Sequence, residues 1–484
     1  MRRASRVLTV LLMGALLWVS PCQAQWSADP SSNLVIADRS GPQVQPKIVA
    51  RSDGGFYVSW FDSSTGGYDV YLQRLDADGV ELWPHNGVLV ADRNYSSTQD
   101  YGLAVDTAGN ALLAFRDDRG GVNDDVTVAK ISPDGDALWG PNGVQVWTGG
   151  GFVGMPDICG TSDGNVVVAW STDSDVRVTK LDSGGSTIWA IPISPPSGLL
   201  FLNAVVASDG GSAIVSMVHQ PVFMTNHLWT QKLASADGAP LWGSSPVVVF
   251  DGGSLQMGNF PPFVSDGSGG AVFAWYTNSP SLQCRAQRVL ANGTEAFTHQ
   301  GVELSTDGTR LRVGPSAAFL PGMQETVVFW TEENSMQSQW GLYGQKLDQS
   351  GVRQWTDVGR ELVPLGGNQI ANVVTLPFAD GALVAWSDGT AIGPIRATRV
   401  DGSGDFVWLP SFVDLKTSTT GTSRLDGALS SQGFAAFAWS DGDSAIADIL
   451  AQNLNGDGSL GATGTIFMDG FESGDTTGWS ATVP

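Results

Sequence analysis

Four histidines and a few clusters of aspartate are the side chains in this 484-residue chain whose spacing invites chemistry. His219 and His227 flank a short loop, and across a hairpin they would face one another and hold a metal. No carboxylate or cysteine accompanies them locally, so packing or surface roles are the simpler reading. Asp117, Asp118, Asp124 and Asp125 form the densest carboxylate cluster, suited either to calcium or to a solvated loop. The run Asn453-Leu454-Asn455-Gly456-Asp457-Gly458 opens like a calcium loop, but its twelfth position is Gly464 where a glutamate is needed. No glycine-rich phosphate loop, serine nucleophile elbow or paired catalytic carboxylate stands out. The sequence therefore assigns no catalytic residue, no cofactor-binding residue and no metal ligand, with calcium as the one cofactor left open.

These residues sit on a repeat. An apolar run ends at Trp60, Phe115, Trp170, Met217, Trp275, Trp330, Trp386 and Trp439, at intervals of 47 to 58 residues. A second anchor follows each, at Leu75, Ile131, Leu181, Leu233, Val289, Leu347, Val400 and Leu454. A turn glycine comes next, and then a large aromatic at Trp83, Trp139, Trp189, Trp242, Phe297, Trp355 and Trp408. The eighth copy lacks that aromatic. Within the first unit, 47–51, 56–61, 69–76 and 80–90 read as strands with alternating side chains, and no stretch of the mature chain shows helical periodicity. Four short strands per unit of this length are the mark of a propeller blade, which buries its faces against its neighbours.

The expected fold is all-β: an eight-bladed β-propeller of four-stranded antiparallel blades, with seven blades as the alternative. A ring needs its last blade joined to its first. Trp26-Ser27-Ala28-Asp29 leading to Val35-Ile36-Ala37-Asp38-Arg39 echoes Trp83 through Arg93, so the N-terminal segment is expected to be the outer strand of the last blade, closing an exposed sheet edge. The rival for that slot is 460–467.

The first 24 residues are of another kind. Arg2, Arg3 and Arg6 precede an apolar run over 7–19, and Cys22-Gln23-Ala24 ends in a small residue, the pattern of a secretory signal peptide. Domain boundaries follow: signal peptide 1–24, propeller 25–465 and a tail 466–484. Removing the leader leaves 22 basic residues against 48 acidic ones. Such a charge repels phosphate backbones and anionic lipid, which excludes nucleic acid as a partner, and no further segment is built to insert in a membrane. A secreted monomer is expected, extracellular, at the cell surface or periplasmic. Cys159 and Cys284 fall in different units and are expected to be separate buried thiols.

The phrase from Pro46-Lys47-Ile48-Val49 through Asp69-Val70-Tyr71-Leu72-Gln73-Arg74-Leu75-Asp76 to Trp83 resembles the repeat of large secreted bacterial propeller proteins, in which an Asp-Ile-Tyr-Ala-Gln-Arg-Leu type strand recurs. That family implies no enzymatic activity. The unit is also similar to the tryptophan-docking motif of eight-bladed quinoproteins and outer-membrane assembly propellers. By that resemblance Trp83, Trp139, Trp189, Trp242, Trp355 and Trp408 staple adjacent blades, with Phe297 a weaker staple. The adjacent cysteine pair of a quinoprotein dehydrogenase is missing, and Ser183-Gly184-Gly185-Ser186-Thr187-Ile188-Trp189 resembles a sialidase turn but nothing beyond it. The tail from Ile466-Phe467-Met468-Asp469-Gly470-Phe471-Glu472-Ser473-Gly474-Asp475 resembles a C-terminal signature of exported bacterial proteins, which implies sorting or surface retention.

Variation in the repeat is confined. The second anchor and closing aromatic stand eight or nine residues apart, whereas the loop between second and third strands lets its anchors range from 11 to 17. Variable loops on a rigid scaffold are where recognition resides. Candidates on that face are Tyr68, Arg119, His219, Phe223, His227, Tyr276, Glu332, Glu333 and Trp340, with Tyr95, Tyr101, Phe152 and Phe260 between blades. The reading that needs least is a secreted, non-catalytic binding or scaffold propeller for a protein or glycan. The alternatives are an extracellular polysaccharide hydrolase or lyase, with carboxylates converging at the channel mouth, and an envelope assembly factor.

Overall fold

In the computed structural model, every blade expected from the repeat is a separate antiparallel sheet, and the eight sheets stand in a ring. The structure describes residues 26–462 apart from 96, 97, 99, 120–123, 257–260, 390, 391, 419 and 444. The leader 1–24, the whole tail 466–484 and Phe260 lie outside the described residues.

Blade 1 runs from the axis outward as Gln43–Ala50, Phe56–Asp62, Asp69–Leu75 and Val88–Ala91. The innermost strands of the following blades are Gly102–Val105, Gly154–Gly160, Leu199–Ala207, Phe263–Ser265, Leu311–Leu320, Ile370–Phe378 and Thr422–Leu429. In blade 5 a second short piece, Ser254–Leu255, shares the inner position, so that sheet has five segments. Among the described residues the one helical element is a single 3-10 turn, Asp209–Gly211.

The last blade is completed from the other end of the chain. Leu34–Ala37 pairs antiparallel with Asp448–Asn455, Leu34 opposite Ala451 and Ala37 opposite Ile449. The slot offered to 460–467 is thus taken by the N-terminal strand, and the count is eight rather than seven. Without this strand Asp448–Asn455 would present an unpaired edge.

The core lies between sheets. Eight clusters of buried side chains fill the eight inter-blade spaces, from the blade 8–blade 1 cluster around Trp26, Phe56 and Phe434 to the blade 7–blade 8 cluster around Trp408, Phe437 and Trp439. Second strands are apolar on both faces because each sheet has a neighbour on either side. The anchors Trp60, Trp170, Trp275, Trp330, Trp386 and Trp439 are accordingly among the largest fully buried residues.

The expected fourth strand of blade 1, 80–90, is shorter in fact. It is split into an isolated bridge between Leu75 and Glu81 and the strand Val88–Ala91, because the chain turns at Trp83 to send its indole into the next blade. Each indole of this class donates its N–H to a turn carbonyl one blade on: Trp83 to Pro133 at 3.2 Å, Trp139 to Ser183 at 3.1 Å, Trp189 to Ser235 at 2.9 Å, Trp242 to Ala291 at 2.9 Å, Trp355 to Gly402 at 3.2 Å and Trp408 to Gly456 at 3.0 Å. Phe297 has no N–H to give and packs against Gly351 instead. Buried glutamines of the third strand fix the backbone of these aromatics, Gln231 accepting from Trp242 N at 3.2 Å and Gln345 from Trp355 N at 3.1 Å.

Candidate functional site

Two regions remain once these staples are accounted for: the loop face and the central channel. Antiparallel strands in a ring send all second-to-third loops and inter-blade loops to one face.

On that face the longest paired second and third strands among the described residues belong to blade 4, Ala213–Val222 and Thr225–Leu233. The tip between them holds Phe223, 80% exposed, beside exposed Val222 and Met224. The corresponding loops of blades 6, 7 and 8 present Met336 (79%), Ile392 (64%) and Ile446 (66%), and Phe152 is exposed between blades 2 and 3. Apolar tips on this scale lose free energy to water unless covered.

Several candidate residues are committed elsewhere. Glu332 and Glu333 are buried, because the second strand of blade 6 extends through them. Glu332 pairs with buried Arg312 at 3.0 Å and accepts the Trp330 indole N–H at 2.7 Å. Burial raises its carboxyl above the usual range, with Arg312 opposing. Glu333 accepts from Gln337 at 2.9 Å. Trp340 is half-buried against the blade 6–blade 7 core, and Tyr276 is half-buried with its phenol pushed up by burial. Tyr68 and Tyr95 belong to a cluster around buried Arg93, which donates to the Tyr68 carbonyl at 2.9 Å and lies 5.3 Å from the Tyr95 ring. Burial lowers the Arg93 guanidinium to about 10, still charged at neutral pH. Tyr101 is buried, its hydroxyl on the Gln45 carbonyl at 3.1 Å.

Each carboxylate of the blade 2 cluster has its own partner, an arginine for two of them and a neutral N–H donor for the other two. Arg119 is clamped on Asp117 at 2.7 Å, Arg116 pairs with Asp124, Asp118 accepts the Asn94 N–H at 3.1 Å, and Asp125 accepts from Gln145 at 3.1 Å. His219 and His227 do face one another, directly opposite in the blade 4 ladder. Among the described residues no group of three histidine, cysteine, aspartate or glutamate side chains converges on one point.

The channel is lined by residues outside the candidates read from the sequence. In five blades the innermost strand carries a bulge at a residue of positive φ: Gln45 (54°), Met155 (50°), Gly314 (57°), Asn372 (52°) and Arg424 (56°). A bulge bends a strand and re-aims the side chains after it. Two residues on, Asp426 accepts the Ile48 N–H of the next blade at 3.0 Å, Asp157 that of Val205 at 2.8 Å and Ser316 that of Thr375 at 2.9 Å. The equivalent residue of blade 1 is Lys47, whose ammonium meets Asp100 at 2.9 Å.

Lys47 also feels Asp157 and Asp426, from blades 3 and 8, which places all four around the axis. Lys47 and Asp100 are 29% and 59% exposed, so water reaches both. Burial works against the charge on Lys47, but the three carboxylates outweigh it and hold its pKa above the ordinary value. Burial raises Asp157 and Asp426, with Lys47 and backbone N–H groups opposing. The Lys47 contacts more than offset burial at Asp100, which is lowered. The signal in the sequence is the residue following Gln45-Pro46, Met155-Pro156 and Gly314-Pro315, since proline interrupts the inner ladder at the bulge.

No family model matches the chain, and no curated protein matches it. Solved structures similar to it include the Dos1 propeller, with TM-score 0.49 and 11% identity over 90% of this chain and 97% of that one. An ulvan lyase of a polysaccharide lyase family has TM-score 0.44 and 12% identity over 76% and 96% of the two chains. Puromycin hydrolase has TM-score 0.43 and 13% identity over 86% of this chain and 61% of its own, so this chain spans less than two thirds of it. At such likeness none of them says what this chain binds or transforms. What the fold itself defines is an eight-bladed β-propeller.

Proposed function

We propose that this is a secreted, non-catalytic binding or scaffold propeller that holds its ligand on the face of the second-to-third strand loops. The observation that carries the reading is the set of exposed apolar tips Phe223, Met336, Ile392 and Ile446, raised from four blades on one face. Apolar tips of this kind suit a protein surface better than a glycan, because burial of apolar area is the main favourable term in protein association. The rigid ring supplies the preorganisation, which cuts the ordering cost of binding.

The second reading, a hydrolase or lyase acting on an extracellular polysaccharide, draws on the Asp100, Asp157 and Asp426 carboxylates around Lys47. Two of those carboxylates already accept backbone N–H groups from the next blade, a structural use that weighs against it.

Purified chain 25–484 used as bait against culture supernatant, beside a variant with Phe223, Met336, Ile392 and Ile446 all changed to serine, tests the first reading. Capture of a partner by the parent alone supports it. Equal capture by both sinks it, and depolymerisation of a polysaccharide that Asp157→Asn abolishes would put the second reading in its place.

A further inference from the structure

We propose that His219 and His227 form a two-imidazole site for a divalent transition-metal ion of the zinc, nickel or copper(II) class. The inference is independent of what the loop face binds.

The two histidines are directly opposite in the antiparallel ladder of blade 4. Side chains so paired leave the sheet on the same face, with Cβ atoms about 4.5–5.5 Å apart. Their ring centroids are 6.1 Å apart and the planes are inclined by 60°. Two imidazoles sharing an ion through metal–nitrogen bonds of about 2.0–2.1 Å have centroids about 5 Å apart in a tetrahedral site and about 6.5 Å apart when trans, so the pair reaches a common ion nearly trans as it stands, or tetrahedrally after a ring shift of about 1 Å.

The hydrogen bonding of His219 prepares one nitrogen for that role. Its Nε2 lies 2.9 Å from the Ser197 carbonyl oxygen. A carbonyl only accepts, so Nε2 carries the proton and Nδ1 bears a bare lone pair. Among the described residues Nδ1 has no hydrogen-bond partner, and it is buried in a residue only 4% exposed. A buried acceptor left without a partner is costly. A backbone carbonyl holding the far N–H is the support that metal-bound histidines use to fix tautomer and ring orientation. The ring is further held by stacking on Trp229, at 3.8 Å between centroids and 30° between planes.

His227 supplies the second lone pair. The neutral imidazole is the form that binds metal. Among the described residues no third protein ligand of the usual types converges, so the two imidazoles are the protein's whole contribution to the site.

The test is titration of the folded chain 25–484 with nickel(II) and zinc(II) by calorimetry, and with copper(II) by electron paramagnetic resonance. One ion per chain is expected, with hyperfine structure from two nitrogens for copper. His227→Gln should weaken binding at least about tenfold, as should His219→Gln. Exposed His85 and His299, each on carboxylates, are the controls, and His85→Gln with His299→Gln should leave the tight site intact. If His219→Gln does not fold, the half-exposed His227→Gln and the unmodified chain decide. In the latter, binding should weaken as pH drops through the imidazole range. Binding that survives His227→Gln, a copper spectrum with fewer than two nitrogens, or no binding by the parent would overturn the assignment.

Discussion

The indole of Trp26 lies across Gly79, 53 positions later in the chain: its N–H donates to the Ala77 carbonyl at 2.9 Å, and a Cβ built on Gly79 would stand 2.6 Å from the ring. Trp26 is thus the eighth copy of the aromatic that the last repeat lacks, delivered from the opposite end of the chain. Trp26→Ala should cost about 3–5 kcal/mol in denaturant unfolding, as for other large buried aromatics. Trp355→Ala should cost a similar amount at the blade 6–blade 7 interface. Deleting 25–39 adds something neither point change does, because it leaves Asp448–Asn455 as an open edge. Light scattering should then show association, and a monomeric, fully stable truncated chain would contradict the closure.

Gly293 and Gly433 have the same φ of 83° but different surroundings. A Cβ on Gly433 meets nothing within 4 Å, whereas one on Gly293 stands 2.6 Å from Trp242. Gly433→Ala should therefore cost about 1 kcal/mol, the strain of a left-handed residue alone. Gly293→Ala should cost about 1–3 kcal/mol more, since the indole must shift. Equal losses in urea unfolding would mean that the turn glycines matter for backbone conformation and not for the indole laid on them.

The parts of this architecture visible in the sequence are those that repeat. Trp60, Trp275 and Trp386 recur because every blade must fill the same inter-blade space, and Gly79 and Gly293 recur because every indole needs the same flat seat. Even the missing eighth aromatic pointed to Trp26. What escaped was whatever one blade does alone. Glu332 looked like loop because nothing nearby in the chain reveals Arg312, its partner from the inner strand. Lys47 and Asp157 feel each other's charge only because the ring brings inner strands of separate blades to one axis, and no local pattern encodes that. His219 and His227 were paired correctly, since a hairpin is a local object; the Ser197 carbonyl that fixes the tautomer comes from outside it.

Cys159 and Cys284 are free and buried, in the inner strand of blade 3 and the third strand of blade 5. Burial pushes both thiols well above their ordinary value, at Cys159 with the help of Asp157. The thiolate is the reactive form. The folded chain 25–484 should therefore give no colour with a disulfide reagent at mildly alkaline pH and two equivalents after denaturation. Rapid reaction of either thiol in the native state would mean that its blade opens locally.

Opposite pH dependences should separate two aspartates. Asp163 accepts from buried Lys180 at 2.6 Å and from Ser235 at 2.6 Å, and these contacts outweigh burial and lower its pKa. Its ionised form therefore stabilises the fold in full above the unfolded-state pKa, and that contribution is lost as pH falls through the folded value. Asp163→Asn should cost about 2–3 kcal/mol at neutral pH, with the gap to the parent closing below a pH of about 4. Asp157 is the reverse. Burial raises its pKa, so the folded state keeps the proton longer, and the penalty for ionising it is absent below the unfolded pKa and grows as pH rises through the folded one. Asp157→Asn keeps an oxygen for the Val205 N–H, and Lys47 keeps Asp100. That variant should be at least as stable as the parent at neutral pH and hold no advantage below a pH of about 4. Unfolding midpoints measured across that range decide it: a variant less stable at neutral pH would show that the Asp157 charge is needed by Lys47 more than burial penalises it.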